Sequence, residues 1–251
     1  SEYAQMVPFS FRKVIGSFAD KIPESSNGKH IGRRLRNFIN GTLLSPEDRY
    51  MAWVSVFQEE LKNELFLNPH IADSGVNGNS SSRSYLYPYL ANSEISNIHD
   101  RVFYTDVKTY LPNNQLEYVD KMSMAHALEV RVPFCDHRLL EFSATIPYEM
   151  KIKGLNTKYL LKRAVSKVLP KDIINRKKIG FNAPLGIWFQ GDLSNFIKDE
   201  LSEKNLKKTG YFRHDTVKTM IDDHNSKRKD FSLHLWAILV FQVWYNSYMK
   251  A

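Results

Sequence analysis

Residues 119–137 read VDKMSMAHALEVRVPFCDH, and this stretch organises the prediction of the fold. It begins as a helical segment and ends in an extended turn, because Pro133 disfavours helical backbone in the residue before it. Glu129 and Arg131 are two positions apart and therefore do not share a helix face. The charged side chains of this run predict a buried ion-pair and capping network, formed by Asp120, Glu129, Arg131, Asp136, His137 and Arg138.

On both sides of this stretch, apolar residues recur at helical spacing. The run Ser45-Pro46-Glu47-Asp48 is typical of a helix start, with a serine cap, proline at the first helical position and acids in the first turn. We find no convincing alternating strand, so the chain is predicted to be mainly α. The predicted helices cover residues 9–21, 31–39, 45–67, 95–111, 114–128, 136–146, 157–169, 193–202, 215–224 and 231–248.

Length and composition indicate a globular protein. The 251 residues are enough for one large or two small domains, and 43% of them are hydrophobic. No apolar run approaches the roughly 20 residues of a membrane span, so we predict no membrane segment. Residues 73–84 are rich in Gly, Asn and Ser and are predicted to form a flexible loop. The single cysteine and the absence of a recognisable targeting segment lead us to expect a cytoplasmic protein.

The formal net charge of +8 makes an anionic partner plausible, whether phosphate, nucleic acid or an acidic surface. Lys158 is expected in the first turn of a helix, where a positive charge opposes the helix dipole unless it contacts an anion. Arg176-Lys177-Lys178 leads into a loop that contains Gly180, which suits phosphate binding. From the residues alone, a solvated basic surface is the simpler interpretation of both features.

Metal, nucleophile and phosphate-loop motifs give no further site. Cys135-Asp136-His137 lacks a second ligand group at a suitable spacing, so we predict no metal among the site residues. The same residues lack an identifiable orienting partner for a Cys–His nucleophile pair. The chain contains no Walker-type run and no Gly-x-Gly-x-x-Gly, so it has no nucleotide cradle of its own.

Four separate runs of residues nevertheless resemble, in order, the C-terminal half of the glutamine-hydrolysing asparagine synthetases. The likeness is strong from Ile95 to about Gln190 and rests only on helical character outside that range. The runs are Tyr104-Thr105-Asp106 with Tyr110-Leu111-Pro112, Val119 to His126, Glu129 to Phe134 with Asp136-His137, and Asn175 to Lys178 with Gly180-Phe181.

This resemblance implies a fold class and a reaction. The chain would be the helical C-terminal portion of an α/β adenine-nucleotide α-hydrolase-like (PP-loop) synthetase domain, with residues 1–251 as a single helical segment. The parallel nucleotide-binding sheet and a glutaminase domain would lie upstream. In that family ATP and Mg²⁺ activate the side-chain carboxylate of aspartate as an aspartyl-adenylate, and ammonia from glutamine then displaces AMP.

The resemblance also assigns roles to residues. Lys178 matches the lysine of an Asn-Arg-Pro-Lys type motif that stabilises charge during adenylation and amide formation, and Lys158 matches a lysine that contacts pyrophosphate. Lys177 is a departure, because proline is commoner there. For Asp120, Glu129, Arg131 and Asp136 the resemblance supports a scaffold role beside the site.

The family's Ser-Gly-Gly-x-Asp-Ser pyrophosphate loop and the main Mg²⁺ ligands are expected upstream of this chain. The fragment alone is therefore expected to be inactive, with its own upstream regions as partners. The resemblance leaves a homodimer open.

Two alternatives remain at this level. One is an amidotransferase that acts on another carboxylate, as in β-lactam synthetases or enzymes that amidate sugar acids. The other is a non-catalytic, basic helical module that binds nucleic acid, suggested by the net charge of +8, Arg33-Arg34-Leu35-Arg36 and Lys227-Arg228-Lys229. No RNA-recognition signature or zinc finger accompanies that charge, which argues against nucleic acid.

Overall fold

The computed structural model describes residues 39–68, 82–177, 180 and 183–249, and this part of the chain is mainly helical, as predicted. The predicted helices at 9–21 and 31–38 lie outside the described residues. The helices and strands are α1 (Pro46–Val54), α2 (Glu59–Leu65), α3 (Ser82–Leu90), α4 (Ile98–Lys108), α5 (Glu117–Met124), α6 (His137–Thr145), α7 (Tyr148–Lys151), β1 (Ile152–Lys153), β2 (Asn156–Thr157), α8 (Tyr159–Ala164), α9 (Lys171–Asn175), α10 (Leu185–Gln190), α11 (Ser194–Glu200), α12 (Glu203–Thr209), α13 (His214–Asn225) and α14 (Ser232–Tyr248). A π-helical segment, Leu111–Leu116, precedes α5, and short 3₁₀ turns occupy Pro133–Cys135 and Val165–Lys167.

Helix α1 begins where the sequence predicts. The Ser45 hydroxyl accepts a hydrogen bond from the backbone N–H of Asp48 at 3.0 Å. The prediction that this helix continues to residue 67 is wrong, because Ser55 is extended and α2 starts separately. The β-branched Val54 and Val56 flank Ser55 and lower the helix propensity at this point.

The prediction from the sequence did not include a hairpin that lies between α7 and α8. Strands β1 and β2 pair antiparallel, with Ile152 opposite Thr157 and Lys153 opposite Asn156. Gly154 has a φ of +59°, which lets the chain reverse within two residues. Strands this short contain too few residues to show an alternating pattern. In the predicted loop at 73–84, residues 73–81 lie outside the described part, whereas residues 82–84 begin α3.

The chain divides into two compact units, one formed by residues up to Tyr85 and from Ala183 onward, the other by Leu86–Asn182. In its described part, the first unit has a hydrophobic core that helices α2 and α10–α14 build together. The members of this core are Leu65, Phe189, Ile197, Leu201, Leu206, Phe212, Val217, Met220, Ile221, Phe231, Leu235, Ile238 and Leu239.

Helix α14 is the central element of that core. Leu235, Ile238, Leu239 and Gln242 are buried and recur at three- and four-residue spacing, which places them on one face. The buried Gln242 amide is satisfied, because it donates to the Asn205 carbonyl at 3.0 Å and accepts from the Thr209 hydroxyl at 3.2 Å. The first unit therefore has both an apolar core and satisfied polar groups within it.

The second unit is packed differently. Among its described residues, Leu90 is the only hydrophobic side chain that is fully buried, together with the polar Thr105 and Thr109. It instead exposes many large apolar side chains, including Phe134, Phe142 and Val168. No helix in the described part of the chain is long and apolar enough to cross a membrane.

Candidate functional site

Three of the four predicted supporting residues line one cavity of about 450 Å³ in the second unit. Asp120 comes from α5, Arg131 from the extended segment that follows, and Asp136 from the start of α6. The cavity, which we call the polar cavity, is also lined by Cys135. The structure thus brings together charged groups that lie 16 positions apart, from 120 to 136, in the sequence.

Asp136 caps the N-terminus of α6, in agreement with the predicted capping network. Its carboxylate accepts from the backbone N–H of Arg138 at 2.9 Å and from two nitrogens of the Arg138 guanidinium at 3.0 and 2.7 Å. The hydrogen bond from that guanidinium is the main reason why the pKa of Asp136 lies below its ordinary value. Asp136 is therefore an ionised carboxylate held in place at the start of α6.

The prediction that this network is buried is wrong. Glu129 and Arg131 form an ion pair, but their side chains are 68% and 87% exposed. The segment that carries them runs over the surface after α5 ends, and Ala127 within it has a φ of +53°. Exposed pairs of this kind contribute little to stability, since water solvates both groups.

A second, larger cleft of about 960 Å³ lies between α4, α6 and α8. We call it the apolar cleft, because most of its lining is hydrophobic. The apolar side chains that line it include Phe103, Tyr104, Val107, Phe134, Leu139, Leu140, Phe142, Leu160, Leu161 and Ala164. The charged side chains that line it are Glu94, Asp100, Asp106, Lys151 and Lys158.

Lys158 has an unusual backbone conformation. It is the residue that precedes α8, rather than a member of the first turn as predicted, and its φ of 57° and ψ of 35° are left-handed. A side chain with a Cβ adopts this region only at a cost, and such strain often accompanies function. Residues 151–163 carry five Lys or Arg but no Asp or Glu.

Two of those cations surround Tyr159 directly after Lys158. Lys153 Nζ lies 5.2 Å and the Arg163 guanidinium carbon 5.9 Å from the ring centroid. The hydrogen bond from Arg163, followed by the charges of Lys153 and Arg163, lowers the pKa of the Tyr159 phenol. The segment 151–163 is therefore locally basic, which favours an anion beside Lys158, whereas the opposite charges of Glu94, Asp100 and Asp106 line the same cleft.

Sequence reasoning missed the ion pair between Lys151 and Asp100. Their charged atoms are 3.3 Å apart, and both side chains are partly shielded from water. Lys151 Nζ also lies 5.3 Å from the centroid of the Phe103 ring. The partners are 51 positions apart, so no local spacing signals their contact.

Lys178 lies outside the described residues, so the structure does not place it. Its neighbours Arg176 and Lys177 are exposed after α9. In the described part of the chain, no group of three or more His, Cys, Asp or Glu residues could hold a metal ion.

Comparison with known proteins places the chain in a family. The asparagine synthase family model matches residues 7–246. The chain belongs to this family. It is 29% identical over 242 residues to the glutamine-hydrolysing asparagine synthetase 1 of Bacillus subtilis, covering 96% of this chain and 36% of that protein.

Two further relatives extend the comparison. The glutamine-hydrolysing asparagine synthetase of Rattus norvegicus is 28% identical over 189 residues, which is 65% of this chain and 31% of the relative. The amidase chry2 of Gibberella zeae is 28% identical over 137 residues, or 52% of this chain and 20% of the relative. The chain spans about a third of the length of the first two curated relatives it matches. No solved structure matched the chain significantly.

Proposed function

We propose that this chain is the helical C-terminal part of a glutamine-dependent asparagine synthetase, a single segment of a larger synthetase domain. The full-length enzyme forms asparagine, AMP and pyrophosphate from aspartate, ATP and glutamine-derived ammonia. The match of the asparagine synthase family over residues 7–246 carries this proposal. The locally basic segment around Lys158 supports it, because both steps build charge on phosphate groups.

The reaction has two covalent steps. In the first, an aspartate carboxylate oxygen bonds to the α-phosphorus of ATP and the bond to pyrophosphate breaks. In the second, ammonia bonds to the acyl carbon, the bond to the AMP oxygen breaks, and the nitrogen loses a proton. Lys158 is assigned to the departing pyrophosphate and Lys178 to the charge that develops in both steps.

The remaining charged residues are assigned to support. Asp136 fixes the start of α6 through its bonds to Arg138. Asp120 and Arg131 line the polar cavity with it, and Glu129 pairs with Arg131 at the surface. None of these contacts requires direct participation in the chemistry.

Magnesium belongs to the proposal through its substrate. When bound to ATP, Mg²⁺ neutralises phosphate charge. The described residues contain no cluster of ligands that fits the ion, so its protein ligands are assigned to the remainder of the enzyme.

The lysine assignment is tested in the full-length enzyme with Lys178→Ala. We expect synthesis to fall by about a hundredfold or more, because removing one such stabilising group typically costs this much. Glutamine hydrolysis should remain, and it serves as the internal control. Unchanged synthesis in this variant would remove Lys178 from the mechanism.

The chain on its own is proposed to be inactive. Aspartate-dependent exchange between pyrophosphate and ATP measures the first step without ammonia. We expect no exchange above background with the 251-residue chain. Exchange by the chain alone would contradict its assignment as an incomplete part of the site.

A second candidate is an amidotransferase that uses another carboxylate. The similarity to the amidase chry2 over about half of this chain favours keeping it. A screen of carboxylic acids for AMP release by the full-length enzyme separates the two candidates. Release that depends on aspartate supports the first, and release that depends on a different acid supports the second.

A further inference from the structure

The apolar cleft combines a deep hydrophobic floor with charged groups. Phe134 and Phe142 face it with 63% and 61% of their surfaces exposed. An exposed concave surface of this kind is uncommon unless a partner covers it. Apolar centres surrounded by charged or polar groups are typical of protein interfaces.

The second unit also lacks the core that its composition would allow. Leu90 is its only fully buried hydrophobic side chain among the described residues, whereas the first unit buries thirteen in one cluster. The apolar side chains of α4, α6 and α8 converge on the cleft without filling it. The described residues of the second unit therefore leave this cleft open.

We propose that the apolar cleft is the docking site for an apolar-faced helix from the remainder of the full-length synthetase polypeptide. This proposal rests on the proposed function, in which the chain is part of a longer enzyme. A groove between three helices accepts a rod whose side chains interdigitate with theirs. Asp100, Lys151 and Lys158 supply charges of both signs for the polar flanks of such a helix.

The length of the relatives identifies where the helix comes from. The match to the Bacillus subtilis relative covers 36% of that protein, so most of the polypeptide has no counterpart in this chain. Residues 39–68 belong to the first unit. There Phe66 pairs with Phe212, and the Glu64 carbonyl accepts from Thr216 at 2.8 Å.

A second copy of the chain fits the cleft less well. In a two-fold symmetric pair built on this surface, a concave groove would face another concave groove and leave the space between them empty. Close packing requires a convex element, as an inserted helix provides.

Thiol labelling tests the proposal directly. In a Cys135→Ser background, Phe142→Cys places a thiol in the cleft and Ser96→Cys places one elsewhere in its lining. Ser226→Cys, at the end of α13 in the first unit, is the control. The rate of reaction with a soluble disulfide reagent is compared between the 251-residue chain and the full-length polypeptide.

We expect both cleft thiols to react at least about tenfold more slowly in the full-length polypeptide, and the control thiol to react equally in both. Equal cleft reactivity in both forms overturns the proposal. Cleft thiols that react much more slowly than the control thiol in the 251-residue chain alone also overturn the proposal. If their reaction rate does not depend on protein concentration, residues 1–38 cover the cleft. If the rate falls as the protein concentration rises, a second copy covers it.

A charge inserted into the cleft provides an independent readout. Phe142→Glu should leave the unfolding midpoint of the isolated chain unchanged and lower that of the full-length polypeptide, since only the latter covers the side chain. Val168→Glu is the matched control, because Val168 is 79% exposed and does not line the cleft. A full-length Phe142→Glu protein as stable as its parent contradicts the proposal.

Synthesis activity separates this inference from the proposed function. If the cleft thiols of the full-length protein are protected but it shows no aspartate-dependent reaction, the docking helix is supported and the proposed function is wrong. If the full-length protein makes asparagine while its cleft thiols stay fully reactive, the proposed function is supported and the docking helix is wrong.

Discussion

Lys158 has a strained backbone conformation and a positively charged side chain that can bind an anion. The sequence indicated the cation and its closeness to a helix start, whereas the left-handed φ of 57° emerges only from the chain's path out of the hairpin. Glycine adopts this conformation without steric cost. The backbone and the charge of this residue can therefore be tested separately.

We predict that Lys158→Gly leaves folding stability unchanged or raises it by up to about 1 kcal/mol, because relief of strain offsets the greater freedom of the unfolded chain. Synthesis by the full-length enzyme should fall by about a hundredfold through loss of the cation. Lys158→Gln should show the same loss of activity without relief of strain. Urea unfolding and pyrophosphate release measure the two effects.

Lys227→Gly is the matched control for backbone relief. Lys227 also has a left-handed φ, of 58°, but it lies in the first unit between α13 and α14. This variant should show a similar change in stability with normal synthesis. If Lys158→Gly and Lys158→Gln both retain normal synthesis, the assignment of Lys158 to pyrophosphate is wrong.

His234 gives the first unit a pH-dependent stability. Its ring packs edge-on against Phe57 and Phe231, with centroid distances of 5.0 and 5.3 Å. Burial, reinforced by the charge of Lys229, lowers the pKa of His234 below its ordinary value of 6.5. The unfolded chain therefore binds a proton more readily than the folded one, and stability should fall as the pH drops below about 6.5.

The variant His234→Phe should lose part of this dependence, because a phenyl ring keeps the aromatic packing without titrating. We expect a smaller change in the urea midpoint between about pH 7.5 and about pH 5.5 than in the parent chain. His137→Gln is the control, since the His137 side chain is 79% exposed and its removal should leave the dependence intact. Identical pH profiles for the parent and His234→Phe would contradict this role of His234.

At the scale of elements, local signals predicted the start of α1 and both ends of α6, α13 and α14 well. The Ser45 cap, the Asp136 cap and the apolar spacing of residues 231–248 are all local in sequence, so the corresponding helix ends are close to those observed. The break after α1 and the hairpin between α7 and α8 have weak local signals. They depend on β-branched residues, a left-handed glycine and packing.

In the candidate site, too, some features have local sequence signals and others depend on how the chain packs. Asp120, Arg131 and Asp136 lie in two neighbouring motifs, and the structure places them around one cavity. Their exposure could not be predicted, because whether a charged pair is covered depends on which surfaces the rest of the chain brings over it. The contact between Lys151 and Asp100 likewise requires the packing of α7 near α4.

Two substitutions of Asp136, which caps α6, distinguish a scaffold role for this residue from a role in the reaction. Asp136→Asn keeps an oxygen that accepts from the Arg138 N–H, so helix α6 and synthesis should both persist. Asp136→Ala removes this acceptor and should lower both the urea midpoint and the activity. An Asp136→Asn enzyme with normal stability and no synthesis would instead assign the charge itself to the reaction.

At the scale of the whole molecule, the two units should differ in local stability. In the first, Phe189 is 1% exposed and belongs to the core that α14 completes. In the second, the apolar side chains around the cleft remain accessible to water. Amide protons exchange faster where fewer apolar contacts oppose local opening.

We therefore predict that, in the isolated chain, amides in α13 and α14 exchange much more slowly than amides in α4, α6 and α8. Phe189→Ala should lower the free energy of unfolding of the first unit by about 3–4 kcal/mol, because the loss of a buried ring leaves a cavity. Exchange in α4, α6 and α8 should change little, which provides the internal control. Hydrogen exchange read by mass spectrometry measures both regions at once, and equal protection in the parent chain would show that the second unit is as well packed as the first.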